Sequence, residues 1–211
     1  MIEKIVIFND FDKHLLSDDK PSGYLNEEIS TKVYFSEYPF NLLKALIDTP
    51  QSPLYHPEGS VWNHTMMVVD NAAMLKNESQ DSRAFMWAAI LHDIGKAPTT
   101  KIKRGKITSY DHDRSGADIA IKFLSELTDE ENLIQKVSRL VRWHMQPLYV
   151  SKGLPFAHIE EMNSQVSIDE IALFSLCDRL GRGGLTKDKI KDEKEEIKRF
   201  AKSCKSLVGR I

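Results

Sequence analysis

A mainly α-helical bundle is the fold class this sequence predicts, and three observations predict it. Six segments with helical spacing of apolar residues follow one another at about residues 60–77, 81–94, 114–127, 130–144, 167–180 and 187–206. One of them, from Ala84 to Leu91, is apolar on every side, which marks a helix enclosed by others. It runs into the string ILHDIGKAP, where His92 and Asp93 stand side by side in its last turn and Gly95 is a natural left-handed residue just past the end. A carboxylate buried there is costly unless a cation or a dense hydrogen-bond network meets it.

The other elements read in chain order. Residues 2–8, IEKIVIF, are short and β-branched and predict a strand. Lys32 to Phe35, KVYF, is its candidate partner, and SDDKPSGYLN reads as the loop between them. Asp10 and Asp12 fall where that first strand ends and turns. Residues 1–37 are therefore expected to form an N-terminal extension with a small β element, and 38–211 the helical domain. FNLLKALID is a short amphipathic helix closed by the proline-rich TPQSPLYHPEG. Thr99 to Tyr110, TTKIKRGKITSY, alternates β-branched and basic residues around Arg104-Gly105 and predicts a short basic hairpin or ordered loop. Its cations Lys101, Lys103, Arg104 and Lys106 fit either a solvated loop or, beside LHDIGK, a phosphate-attracting rim. The last helix mixes both charge signs at i,i+4 spacing, as a mostly solvated helix does.

Composition narrows the function classes. The 29 Lys and Arg against 31 Asp and Glu, a net charge of −2, give no bulk attraction to nucleic acid or membranes. Cys177 and Cys204 are the only cysteines, so a disulfide framework is not expected and a reducing compartment fits. No apolar stretch approaches a membrane span. The start, MIEKIVIFNDFD, does not read as a signal peptide, so a cytoplasmic protein is expected.

Polar residues on apolar faces point to chemistry. His64 shares a helical face with Val61, Val68 and Leu75. His144 continues the row Leu133, Val137, Leu140 and Val141, and Asp178 follows Ile171 and Phe174. His112 sits at or just before the start of another helix. A lone inward histidine is ordinarily a hydrogen-bonded core residue. Five such positions, with His92-Asp93 counted as one, are harder to satisfy without one or two divalent cations. Imidazole with carboxylate suits Zn, Fe, Mn, Co or Ni, and the lack of clustered cysteines argues against a structural zinc site.

The order His64, His92-Asp93, Asp178 resembles the H…HD…D signature of the HD superfamily of metal-dependent phosphohydrolases. The segments HPEGSVWNHTMMVVDNA, AAILHDIGKA, YDHDRSGADIA, LVRWHM and LCDRLGRGG look like successive pieces of the HD domain attached to bacterial CCA-adding tRNA nucleotidyltransferases, over roughly residues 56–184. The resemblance implies that residues 38–211 are an HD phosphohydrolase domain. It implies that His64, His92, Asp93 and Asp178 are the core metal ligands and that His112 and His144 match the extra histidines of relatives with two ions. Asp93 would then bridge the ions, and Lys96 would approach a substrate phosphate. The cofactor it implies is one or two divalent ions drawn from Fe, Mn, Ni, Co, Zn or Mg. Fewer than 60 residues precede the HD-like region, which leaves no nucleotidyltransferase head, so CCA addition is not expected. The GYP string of cyclic-di-GMP phosphodiesterases is also missing.

The function this implies is hydrolysis of a phosphomonoester or phosphodiester in a nucleotide or nucleic acid by a metal-activated water. Asp93 and Lys96 are the catalytic candidates, and Lys96, Arg179 and Arg182 the substrate-binding ones. Arg179 follows Asp178 directly and points about 100° away on an ideal helix, so a surface role is an equal reading. Asp111 and Asp113 fit proton shuttles or helix caps. The expected partner is a phosphorylated small molecule, a nucleotide or an RNA end, with no membrane. The alternative function is a non-catalytic HD module that binds RNA or a partner protein.

Overall fold

The computed structural model describes residues 2–209. In chain order the helices are α1 (Ile2–Ser17), α2 (Pro21–Thr31), α3 (Asn41–Lys44), α4 (Val61–Leu75), α5 (Ser82–Leu91) and α6 (Lys96–Thr99). The strands β1 (Thr100–Lys103) and β2 (Lys106–Ser109) follow. Then come α7 (His112–Ser125), α8 (Glu131–Trp143), α9 (Gln146–Ser151), α10 (Ile159–Gln165), α11 (Ile168–Leu180) and α12 (Lys187–Val208). The fold is a helical bundle with one two-stranded sheet among the described residues.

Helix α5 is the axis. Its residues from Ala84 to Leu91 are all buried, and it packs against α1, α4 and α8. Asp81 caps its start by accepting from the Ala84 amide at 3.1 Å. Ser60, Ser167 and Thr186 cap α4, α11 and α12 in the same way. The six helices expected between residues 60 and 206 are present as α4, α5, α7, α8, α11 and α12. FNLLKALID keeps only one helical turn, α3.

The expected N-terminal strand is a helix. Phe8, Phe11 and Leu15 recur at helical spacing and are buried, whereas Ile5 and Val6 of the β-branched run are 46% and 61% exposed. Phe8 and Phe11 stack on Trp87 of α5 with ring centroids 5.0 and 6.1 Å apart. Asp12 ends no strand. It accepts from Trp87 Nε1 at 2.9 Å and from Arg83 Nε at 2.8 Å, tying α1 to α5. The expected loop SDDKPSGYLN instead opens α2, with Pro21 at its first turn and Pro21, Leu25 and Ile29 buried at four-residue spacing. KVYF is not a partner strand. Val33–Ser36 is a 3-10 turn that buries Phe35 against Phe11 and Phe40. In residues 2–8 and 33–36, burial of aromatic side chains in the helical core outweighs the local β propensity.

The expected hairpin forms. Its strands pair antiparallel from Thr100 opposite Ser109 to Lys103 opposite Lys106. The turn residues Arg104 and Gly105 both have positive φ, 52° and 75°, as the favoured two-residue hairpin turn requires. Gly95 departs from expectation, because its φ is −71° and not left-handed. Its requirement is space: a Cβ there would stand 2.1 Å from the His112 carbonyl oxygen and 2.5 Å from the Gly116 nitrogen. The bare backbone lets α7 lie directly on the turn that carries His92 and Asp93.

Candidate metal centre

Four helices and one turn deliver the polar residues. His64 comes from α4, His92 and Asp93 from the turn after α5, His112 from the first position of α7, His144 from the C-terminal cap of α8, and Asp178 from α11. His64, His92, Asp93, His112 and His144 are all buried. The structure thus brings together six residues that lie as far apart in sequence as 64 and 178.

Asp93 is the hub, and its two oxygens divide the histidines between them. Oδ2 lies 3.2 Å from His92 Nε2 and 3.9 Å from His64 Nε2. Oδ1 lies 3.5 Å from His112 Nε2 and 3.8 Å from His144 Nε2. Asp178 Oδ1 closes the first group at 3.0 Å from His64 Nε2. The ligand atoms of His64, His92 and Asp93 lie within 4.8 Å of one another, and so do those of Asp93, His112 and His144.

The backbone fixes how three of these rings face. His92 Nδ1 donates to the Ala89 carbonyl at 2.9 Å, His112 Nδ1 to that of Ser109 at 2.7 Å, and His144 Nδ1 to that of Val141 at 2.7 Å. Each bond commits Nδ1–H to the backbone and turns Nε2 toward Asp93, the arrangement of metal-ligating histidines. Among the described residues, His92 Nε2 and His112 Nε2 are buried without a hydrogen-bond partner, and Asp93 Oδ2 has the Lys96 ammonium 2.7 Å away. Buried orphaned acceptors are rare, and a divalent cation satisfies them together. The residues present therefore fit one.

The charges of Asp93, Asp178, His112 and His144 agree with this. Burial alone would raise the Asp93 carboxyl, but Lys96 and His92 hold it well below its usual range. Burial would also raise Asp178, which the His64 hydrogen bond keeps low. His112 is pushed down by burial. His144 is pushed down by burial and by neighbouring His112 and His92, to about 4. Both are neutral at pH 7 and so offer lone pairs. Burial would lower His64 as well, yet its bonds to Asp178 and Glu58 raise it to about 9.

Lys96 stands at the edge of the cluster. Its ammonium lies 2.7 Å from Asp93 Oδ2 and donates to Gln51 Oε1 at 2.6 Å. Gln51 is itself held by its Nε2 bond to the Ser60 carbonyl at 3.1 Å. Arg179 is not brought to the cluster. Its guanidinium is committed to Glu193 and Glu196 of α12, at 2.6 Å each. Arg182 acts on Asp178 electrostatically, and its Nε is buried without a partner among the described residues. Asp111 occupies the N-cap position of α7 but makes no side-chain cap bond, and Asp113 accepts from Arg142 at 2.7 Å.

Sequence reasoning passed over His56, Glu58 and Gln51, which lie in the proline-rich stretch before α4. Glu58 Oε1 accepts from His56 Nδ1 at 2.8 Å and stands 3.0 Å from His64 Nδ1, while Oε2 accepts from the Gly183 amide at 2.9 Å. Burial would raise the Glu58 carboxyl, but the bonds from His56 and His64 hold it far below its usual range. Glu58 thus orients His64 from behind. The available signal was His56-x-Glu58 just ahead of His64, hidden because the prolines read as punctuation. Glu58→Gln is expected to weaken metal affinity about tenfold to a hundredfold while leaving the fold intact. Titration with a competing chelator measures this, and an unchanged dissociation constant would remove Glu58 from the site's support.

Fold and site together define a helical domain that converges histidines and aspartates into a buried centre suited to a divalent ion. The chain belongs to the HD domain family, which matches residues 61–183. It is 30% identical over 148 residues to the Multifunctional CCA protein of Halorhodospira halophila, covering 66% of this chain and 34% of that protein. It is 29% identical over 148 residues to the Multifunctional CCA protein of an Azoarcus species, covering 67% and 34%. Against the Pasteurella multocida protein of the same name, identity is 41% over 78 residues, covering 36% and 17%. The chain spans about a third or less of the length of these relatives. No described helix is long and apolar enough to cross a membrane.

Proposed function

We propose that this chain is a metal-dependent phosphohydrolase acting on a nucleotide or nucleic-acid phosphate ester. The observation that carries the reading is Asp93, which offers one oxygen to His64 and His92 and the other to His112 and His144. A core needing only stability has no use for four imidazoles around one carboxylate. A divalent ion held there supplies a Lewis acid for a phosphoryl oxygen and an activated water.

The chain's own residues supply the rest. His64, His92, Asp93 and Asp178 form one set of ligands, and Asp93 with His112 and His144 a second. Lys96, held by Gln51 at a side-chain exposure of 12%, is placed to meet a phosphoryl oxygen and offset its charge. Arg182 adds positive potential near Asp178, whereas the ion pairs of Arg179 favour a structural role in joining α11 to α12. The Multifunctional CCA relatives favour nucleotide or nucleic-acid substrates within this class.

Purified protein is expected to carry two equivalents of a divalent transition metal and to hydrolyse bis-p-nitrophenyl phosphate. Chelator should remove that activity. His112→Ala and His144→Ala should each lower the content toward one equivalent. Elemental analysis of wild type and variants, with turnover before and after chelation, checks this. Full turnover without metal would rule out the phosphohydrolase reading. One equivalent in wild type, unchanged in both variants, would leave a mononuclear site.

A further inference from the structure

We infer that the basic hairpin and the Tyr149–Phe156 pair form the two sides of a track for a single-stranded nucleic acid, which leads the strand's phosphates to the metal centre. The inference rests on the proposed phosphohydrolase reading for its chemistry, but its evidence lies outside the ligand set. The hairpin's cations Lys101, Lys103, Arg104 and Lys106 are all exposed. Among the described residues none of them makes an ion pair, although Lys and Arg elsewhere in the chain pair repeatedly. No acidic residue occurs between Lys96 and Tyr110, in a chain whose net charge is −2.

The hairpin also breaks local rules. Lys103 lies directly opposite Lys106, a like-charged cross-strand pair that weakens pairing. Arg104 takes a left-handed φ of 52° where Asn, Asp or Gly is preferred. A solvated turn with no other task is better served by Asn-Gly and by one acidic partner. Conflicts of this kind concentrate where a segment serves binding and not stability.

Both feet of the hairpin stand on the centre. Thr99 Oγ1 donates to the Gly95 carbonyl at 2.8 Å, two residues beyond Asp93, and Ser109 O accepts from His112 Nδ1 at 2.7 Å. The aromatic pair is tied to the segment that follows His144. Gln146, two residues further on, donates Nε2 to the Phe156 carbonyl at 3.1 Å and accepts from the His158 amide at 2.9 Å. This clamp presents Phe156, 56% exposed, with its ring centroid 5.7 Å from that of Tyr149. The rings of His112 and His144, which anchor the two sides, are 5.3 Å apart. Cations on one flank and aromatic faces on the other suit single strands, whose phosphates need charge and whose unpaired bases need stacking surfaces.

The test is binding of a fluorescent twelve-nucleotide RNA, and of the DNA of the same sequence, across a salt series. The variants are Lys101→Gln/Lys103→Gln/Arg104→Asn/Lys106→Gln combined, and Tyr149→Leu/Phe156→Leu combined. Arg104→Asn favours the turn, so the hairpin variant keeps its fold, and unchanged melting and metal content verify that. The hairpin variant should bind at least tenfold more weakly at low salt. Its slope of log affinity against log salt should fall by up to about 3, at roughly 0.7 for each phosphate no longer neutralised. The aromatic variant should also lose about tenfold, with its salt slope unchanged. Preference for RNA or for DNA then identifies the strand. Equal affinity of wild type and the hairpin variant would overturn the inference, and so would equally tight binding of poly-glutamate. Wild type that hydrolyses bis-p-nitrophenyl phosphate but binds neither oligonucleotide would overturn the track and leave the phosphohydrolase standing. Oligonucleotide binding with no phosphoester turnover would retain the track and remove the enzyme.

Discussion

Replacing Asp93 with alanine is expected to reduce phosphoester turnover to background and to abolish metal-dependent stabilisation in the same step. Asp93 is the one residue that faces both groups of histidines, with Oδ2 3.2 Å from His92 Nε2 and Oδ1 3.5 Å from His112 Nε2. Losing His64 or Asp178 would disturb one group only. Losing Asp93 removes the anion common to both and leaves Lys96 without its nearest carboxylate. Wild-type protein should melt higher with metal, because a ligand that binds only the folded state stabilises it by about 4 kcal/mol at a thousand times its dissociation constant. The variant should melt at one temperature with or without metal. Asp93→Asn, which keeps the side chain's shape, guards against a packing artefact and should behave alike. Normal metal content and near-normal rates in either variant would eliminate the bridging role.

The site was more legible than the N-terminal third of the fold, for a physical reason. His64, His144 and Asp178 each interrupt a long apolar row, and a polar residue on a buried helical face stands out over four or five turns of sequence. His92 and Asp93 end a helix that is apolar all round, so their burial could be read directly. Residues 2–8 offer only seven positions, and IEKIVIF looks β-branched before it looks helical. The deciding spacing, Phe8, Phe11 and Leu15, begins where that run ends, and its meaning comes from Trp87, nearly eighty residues away. Pro21 and Gly23 signal a loop locally, yet proline is also at home in the first turn of a helix. Glu58 was illegible because its role is to accept hydrogen bonds from two histidines and a distant amide. Arg179 was read from its neighbour Asp178, whereas its partners Glu193 and Glu196 lie on α12.

Gly95→Ala is expected to cost roughly 3 kcal/mol of stability and to displace His112 from the centre, although residue 95 ligates nothing. A Cβ at position 95 would stand 2.1 Å from the His112 carbonyl oxygen and 2.5 Å from the Gly116 nitrogen, both main-chain atoms of α7. A flexible side chain could swing away from such an approach, but here the helix itself must move. Helix α7 also packs against α8, and Gly116 already lies close to Val141, where a Cβ would stand 3.1 Å from Cγ1. Displacing α7 therefore disturbs the pair His112 and His144 and leaves His64 on α4, His92 just after α5 and Asp178 on α11 in place. The expected signature is selective. Denaturant unfolding should show the lower stability, and elemental analysis should show metal content falling toward the share held by His64, His92, Asp93 and Asp178. Because Gly95 has φ of −71°, alanine meets no backbone strain of its own, so the whole effect is attributable to the close approach. A Gly95→Ala protein within about 0.5 kcal/mol of wild type, with full metal content, would show that α7 yields freely at this point and that the His112 position does not depend on it.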